Sequence, residues 1–171
     1  MFAGLYELPL TFIKHQFKLS CGKIGHMKWY FLIIIAVALS SFTDWGTDLE
    51  KAKQQAQKEN KLILLNFSGS DWCGPCIRMK KEIFASAGFQ DYSGQRLVLL
   101  NADFPRAKKD QLAKDQQENN DRLAEVYNAK GVFPFTVLLN AEGKVLRSWE
   151  GFPDKGADIF VAQLKEFEPK K

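Results

Sequence analysis

The sequence predicts an α/β fold, with a mixed central sheet and helices on both faces. Three observations predict it. Two continuous apolar runs, "LILLNF" (62–67) and "RLVLLNADF" (96–104), read as buried central strands. Helix-forming stretches alternate with them. Two further apolar segments, "FTVLLN" (135–140) and "KVLRSWEGF" (144–152), are joined by Ala141-Glu142-Gly143, a hairpin signal. The order αβαβαββα gives parallel and antiparallel neighbours in one domain, running from about Asp44 to Phe167.

The elements follow in order. "TDLEKAKQQAQKENK" (47–61) is rich in helix formers, and Thr47 and Glu50 have capping-box spacing. After the first strand, "SGSDW" is a loop. "CGPCIRMKKEIFAS" (73–86) then reads as one helix, with Cys73 at its start and Pro75 in the first turn. Ile77, Lys80/Lys81 and Phe84 stand at helical spacing, and Gly88 is expected to end the helix. The stretch 110–131 is polar early, amphipathic at Leu123, Val126 and Tyr127, and stopped by Gly131. "ADIFVAQLKEFE" (157–168) is a last helix with Ile159, Phe160, Leu164 and Phe167 on one face. There are no repeats and no low-complexity linker.

Residues 1–43 differ from the rest. They carry four lysines (Lys14, Lys18, Lys23, Lys28) against one acid, Glu7, whereas the remaining 128 residues are nearly balanced. The net charge of +4 therefore comes mostly from the N-terminal segment, and the domain shows no nucleic-acid footprint. "MKWYFLIIIAVALSSF" (27–42) has the three-part layout of a secretory signal peptide. It has a lysine, an apolar run at about 29–39, and small residues after it, with Ala38-Leu39-Ser40 a small-x-small cleavage site. The run is shorter than the ~20 residues that a spanning helix needs, so an anchor at 29–42 is the alternative. The expected division is 1–43 as N-terminal extension and signal peptide, and 44–171 as the folded domain. That places the domain in the periplasm or outside the cell. Translation could start at Met1 or Met27. Cys21 lacks the uncharged apolar run of a lipoprotein box. Removal of the signal would take Cys21, His15 and His26 with it.

The chemistry concentrates in "SDWCGPCIRM" (70–79). A structural zinc site needs four ligands, and residues 44–171 hold two cysteines and no histidine. A structural staple closing a two-residue loop would remove little unfolded-chain entropy. A redox pair uses every feature. The thiolate is the nucleophile, and a helix start offers unpaired amides and partial positive charge to Cys73. Cys76 lies one turn on, in reach of a mixed disulfide at Cys73. Gly74 leaves the approach open, Pro75 preorganises the first turn, and Trp72 offers a flat apolar surface or simply a half-buried core ring.

"LILLNFSGSDWCGPCIRMKKEIF" together with "KGVFPFTVLLNAEGKV" resembles the thioredoxin superfamily. It looks most like secreted bacterial thioredoxin-like proteins related to the C-terminal domain of the DsbD electron-transfer protein. The resemblance covers about Thr47 to Phe167 and implies a thioredoxin fold. It implies a cis-proline at Pro134 opposite the cysteines, a substrate strand pairing with the backbone of Phe133, and Gly151 flanking the same groove. It implies no metal and no cofactor beyond the Cys73–Cys76 disulfide. Two departures stand out. The family's buried carboxylate is matched by Asn66, an amide that cannot titrate; water or another acid, such as Asp71, would have to serve. Phe135 follows the proline where the family usually has Thr, and either adds to an apolar groove wall or points into the core. The polar piece 105–120 exceeds the minimal family connection, as a solvated extension or a docking surface.

The expected function is a thiol–disulfide oxidoreductase that reduces protein disulfides outside the cytoplasm. Its partners would be thiol or disulfide clients and a membrane electron donor, and the protein would act as a monomer. The alternatives are an oxidase or isomerase, and a non-catalytic thioredoxin-fold binding module.

Overall fold

A computed structural model describes residues 44–168. The expectations placed on residues 1–43 (signal peptide, start site, Cys21) lie outside the described residues. Among these, no helix is long and apolar enough to cross a membrane.

The elements are α1 (Leu49–Glu59), β1 (Leu62–Ser68), α2 (Gly74–Arg78), a π-helical segment (Met79–Phe84), α3 (Ala87–Arg96), β2 (Leu97–Asp103), α4 (Lys114–Tyr127), β3 (Phe135–Leu139), β4 (Val145–Glu150) and α5 (Gly156–Lys165). The sheet order is β2-β1-β3-β4. β1 pairs with β2 in parallel and with β3 antiparallel, and β3 pairs with β4 antiparallel. The mixed sheet follows the expectation.

Side chains alternate across each strand, so the sheet has two cores. Ile63, Leu65, Phe67, Val98, Leu100, Val137 and Leu139 face Ala52 and Ala56 of α1 and Leu123 of α4. Leu64, Leu97, Leu99 and Leu138 face Met79, Ile83, Phe84, Phe89, Phe160 and Leu164, from the π segment, α3 and α5. Burying one such side chain stabilises the fold by about 1.5–3 kcal/mol.

Several local expectations are corrected. The N-cap of α1 is Asp48, not Thr47: its carboxylate accepts from Lys51 N at 3.1 Å. That hydrogen bond holds the Asp48 carboxyl below its usual value. The expected single helix over 73–86 is α2 followed by the π segment, which closes with Ala85 N donating to Lys80 O, five residues back. Gly88 ends nothing. It sits in the first turn of α3, which the sequence reading missed and which Ser86 caps by accepting from Phe89 N. Val126 and Ile159 face solvent, at 71% and 45% exposure, so the buried stripe of α5 is Phe160, Val161 and Leu164.

Candidate functional site

The topology collects the site at one end of the sheet. The register aligns Ser68 with Asp103, Phe67 with Phe135, and Phe135 with Glu150. Chain leaving β1 and β2 therefore meets chain entering β3 and leaving β4. The loop 69–73, Phe104, Phe133-Pro134 and Gly151 all attach there.

Cys73 caps α2, and its Sγ accepts from Cys76 N at 3.2 Å. The two sulfurs form a disulfide with the Cα atoms 5.2 Å apart. Both residues are nearly buried, with exposures of 4% and 6%. Gly74 and Pro75 are exposed, and a Cβ added at Gly74 would meet nothing within 4 Å, so that side is open space. The Phe133–Pro134 bond is cis. Gly151 has φ +76 and donates its N–H to Pro134 O at 2.9 Å, a conformation that favours glycine. Among the described residues, no hydrogen bond engages the backbone of Phe133.

Trp72 is half-buried and held on every side. Its Nε1–H donates to Phe104 O at 2.7 Å. The Arg106 guanidinium lies 3.6 Å over its ring, and Phe133 meets it edge-on at 5.5 Å. Phe104 touches Phe133 in turn, at 5.5 Å. Gly69 lies so close that a Cβ there would fall 2.3 Å from the indole Cε2. One face of the ring is thus covered by Arg106 rather than free. Phe135 packs on Phe67 at 6.2 Å and belongs to the α1/α4 core.

Asp71 does not reach the cysteines through hydrogen bonds. Its carboxylate accepts from the backbone N–H groups of Arg106 and Ala107, and the Ala107 bond above all holds its pKa below the usual carboxylate value. It pins the start of the polar piece 105–120. That piece continues as a short 3₁₀ turn, Lys108–Asp110, and then α4.

The second face of the site was not anticipated. On the side of the sheet that faces the π segment, three strands turn from apolar to polar at the same level. Leu64 gives way to Asn66 and Ser68, Leu99 to Asn101 and Asp103, and Leu138 to Thr136. These groups are chained. Thr136 Oγ1 donates to Asn66 Oδ1 at 3.1 Å, and Asn66 Nδ2 to Asn101 Oδ1 at 3.0 Å. Ser68 Oγ lies 3.2 Å from Asn101 Oδ1 and 2.8 Å from Asp103 Oδ1. Ser70 donates to the Asp103 carboxylate from both its N–H and its hydroxyl. Asn120 of α4 ties down the Asp103 carbonyl at 2.8 Å. A cleft of about 540 Å³ opens onto this floor, with Cys76 in its wall and Trp45, Phe84, Lys80 and Lys81 around it. The signal was the "LLN" shared by "LILLNFS" and "LVLLNAD", which parallel pairing in register brings side by side.

Among the described residues, no cluster of three His, Cys, Asp or Glu side chains could hold a metal ion.

The comparisons agree with this geometry. A family model described as thioredoxin-like matches residues 44–141. The chain belongs to the thioredoxin-like family. It is 35% identical over 131 residues to the disulfide bond reductase DsbH of Chlamydia pneumoniae, covering 77% of this chain and 74% of that one. A solved structure titled DsbH oxidoreductase superposes with a TM-score of 0.66 at 32% identity, covering 74% of this chain and 85% of that one. A thioredoxin from Thermus thermophilus superposes at 0.54 with 17% identity, covering 73% and 87%, a likeness of fold alone. This thioredoxin-like protein is a thiol–disulfide oxidoreductase carrying its redox disulfide between Cys73 and Cys76.

Proposed function

We propose that the protein reduces disulfides of client proteins outside the cytoplasm, with Cys73 as nucleophile and Cys76 as resolving thiol. The observation that carries the reading is the Cys73–Cys76 disulfide, with the Cys76 amide donating to Cys73 Sγ. A donor that can reach the Cys73 sulfur also favours its thiolate. The client thus becomes a mixed disulfide at Cys73, and Cys76 closes the ring and releases it. The unengaged Phe133 backbone beside cis-Pro134 offers an extended client strand its main-chain partners. Trp72 and Gly151 flank it, and the open space at Gly74-Pro75 admits it. The reducing direction rests on the name of the DsbH relative, the export on the signal-like run at 29–39. The protein acts as a monomer, with electrons refilled by a membrane donor, and needs no metal or cofactor beyond the disulfide.

Insulin reduction with dithiothreitol as electron source tests this. The wild type should accelerate it, Cys73→Ser should fall to background, and Cys76→Ser should accumulate mixed disulfides with clients. A folded wild-type protein without turnover would favour the binding module instead. Equal trapping by both variants would show the assignment of Cys73 as the nucleophile to be wrong.

A further inference from the structure

We infer that Asp103 is the proton acceptor for Cys76, reached through the Ser68 hydroxyl across the cleft. The inference rests on the resolving role proposed above for Cys76.

The need comes from chemistry. A thiol must lose its proton before it attacks a disulfide. Cys76 is 6% exposed and lies in the wall of the cleft. The polar groups of the cleft floor are Asn66, Ser68, Ser70 and Asn101, and none of them ionises in the working range. Among the described residues, one carboxylate is joined to that floor by hydrogen bonds, Asp103, through Ser68 Oγ at 2.8 Å and through Ser70. The cleft, at about 540 Å³, is wide enough for water, which occupies ~30 Å³ per molecule.

The step balances. A cleft water takes the Cys76 proton and passes one to Ser68 Oγ, whose own proton moves to Asp103 Oδ1. The Cys76 thiolate then attacks Cys73 Sγ. The Cys73–Cys76 bond forms, the bond from Cys73 to the client sulfur breaks, and the client leaves as a thiolate that solvent protonates. When a donor thiol reopens the ring at Cys73, Cys76 leaves as a thiolate and recovers the proton from Asp103. The other charged groups facing this path are Lys80 and Lys81 of the π segment, cations that favour the thiolate but cannot accept its proton. Asp71 is turned to the Arg106 and Ala107 amides, and Arg106 to the Trp72 ring. Asp103 is a positioning residue in this scheme, because it acts through Ser68.

The reduced protein can be mixed with dithiobis-nitrobenzoate in stopped flow. Attack by Cys73 releases the first coloured thiolate at a rate set by reagent concentration. Attack by Cys76 releases the second, independent of it. Asp103→Asn keeps the shape and an acceptor for both serines. It should slow the second phase by about 100-fold or more at neutral pH, as loss of a proton acceptor does, and leave the first phase unchanged. The gap should close as pH rises past the ordinary thiol range of ~8.5, where hydroxide suffices. The double variant Ser68→Ala/Ser70→Ala should behave alike, and Asp103→Glu should recover part of the rate. A second phase unchanged in Asp103→Asn, or one slowed equally at every pH, overturns the inference; so does equal slowing of both phases. If Asp103→Asn fails to fold, the serine double variant decides by the same criteria. Cys76→Ser must abolish the second phase in the parent protein; if it does not, the resolving role itself has failed, a separate result.

Discussion

Cys73 and Cys76 are almost equally buried, at 4% and 6% exposure, yet they sit between two unlike regions. The end of the site around Cys73 is built from rings and main chain: Trp72, Phe104, Phe133, cis-Pro134 and the Arg106 guanidinium. The cleft beside Cys76 is floored by amides and hydroxyls chained from Thr136 to Asp103. Exposure alone would call the two sulfurs equivalent. What separates them is neighbours: one region suits contact with a protein strand, the other suits moving a proton. A single helical turn separates the two settings.

The comparison can be broken most strongly from the polar side. Asn66→Leu removes the acceptor of Thr136 and the donor to Asn101 in a buried chain. Orphaned buried polar groups cost about 1–3 kcal/mol each, so a loss of about 3 kcal/mol should appear in the urea midpoint. Client binding at the aromatic end should change little once the variant is folded. If a peptide client binds much more weakly, the two regions are not independent.

A smaller effect is expected from the aromatic side. Gly69→Ala places a Cβ 2.3 Å from the Trp72 ring, so the indole must leave its seat over the loop. The strain and the lost contacts should cost about 1–3 kcal/mol. The insulin-reduction KM should rise by several-fold while resolution by Cys76 keeps its rate. Loss of the resolving rate instead would mean that Trp72 also supports the polar cleft.

The smallest effect is a pH dependence at the rim. Asp71 has its folded pKa lowered, chiefly by the Ala107 amide. The stabilisation of the 105–107 turn is therefore present above the unfolded carboxyl value, ~3.9, and is lost as pH falls through the still lower folded value. Acid titration of tryptophan emission should show the Arg106–Trp72 stack loosening in that window, and Asp71→Asn should remove the transition. A stack that loosens near neutral pH would contradict the assignment.

Much of the fold was legible because its signals are local. The continuous runs of β1 and β2, the hairpin of β3 and β4, and Cys73 at a helix start each announce themselves within a few residues. Helix α3 did not. "AGFQDYSGQR" buries only Phe89, Tyr92 and Ser93, and two glycines blur it, although the Ser86 cap was a readable start. The π segment was invisible because an apolar spacing that suits an α-helix also suits a helix with one wider turn. At the site, the cysteines could be read from the chain, but the Asn66–Asn101 and Ser68–Asp103 pairs could not. Each joins residues 35 apart, and only strand register brings them together. Register also sets a carboxylate, Asp103, one strand over from the amide of Asn66.

The π segment carries a further consequence. Its bond from Ala85 to Lys80 spans one residue more than an α-helical turn, so Met79–Phe84 holds a surplus residue. Met79, Ile83 and Phe84 are buried, while Lys80, Lys81 and Glu82 bulge outward. The redox turn upstream and the aromatic core downstream are thus joined by a stretch with built-in slack. The wider turn lets Met79, Ile83 and Phe84 all reach the core while Lys80 and Lys81 stay at the rim of the cleft that holds Cys76. One stretch of chain thus serves the packing of the sheet and the charge beside the second cysteine.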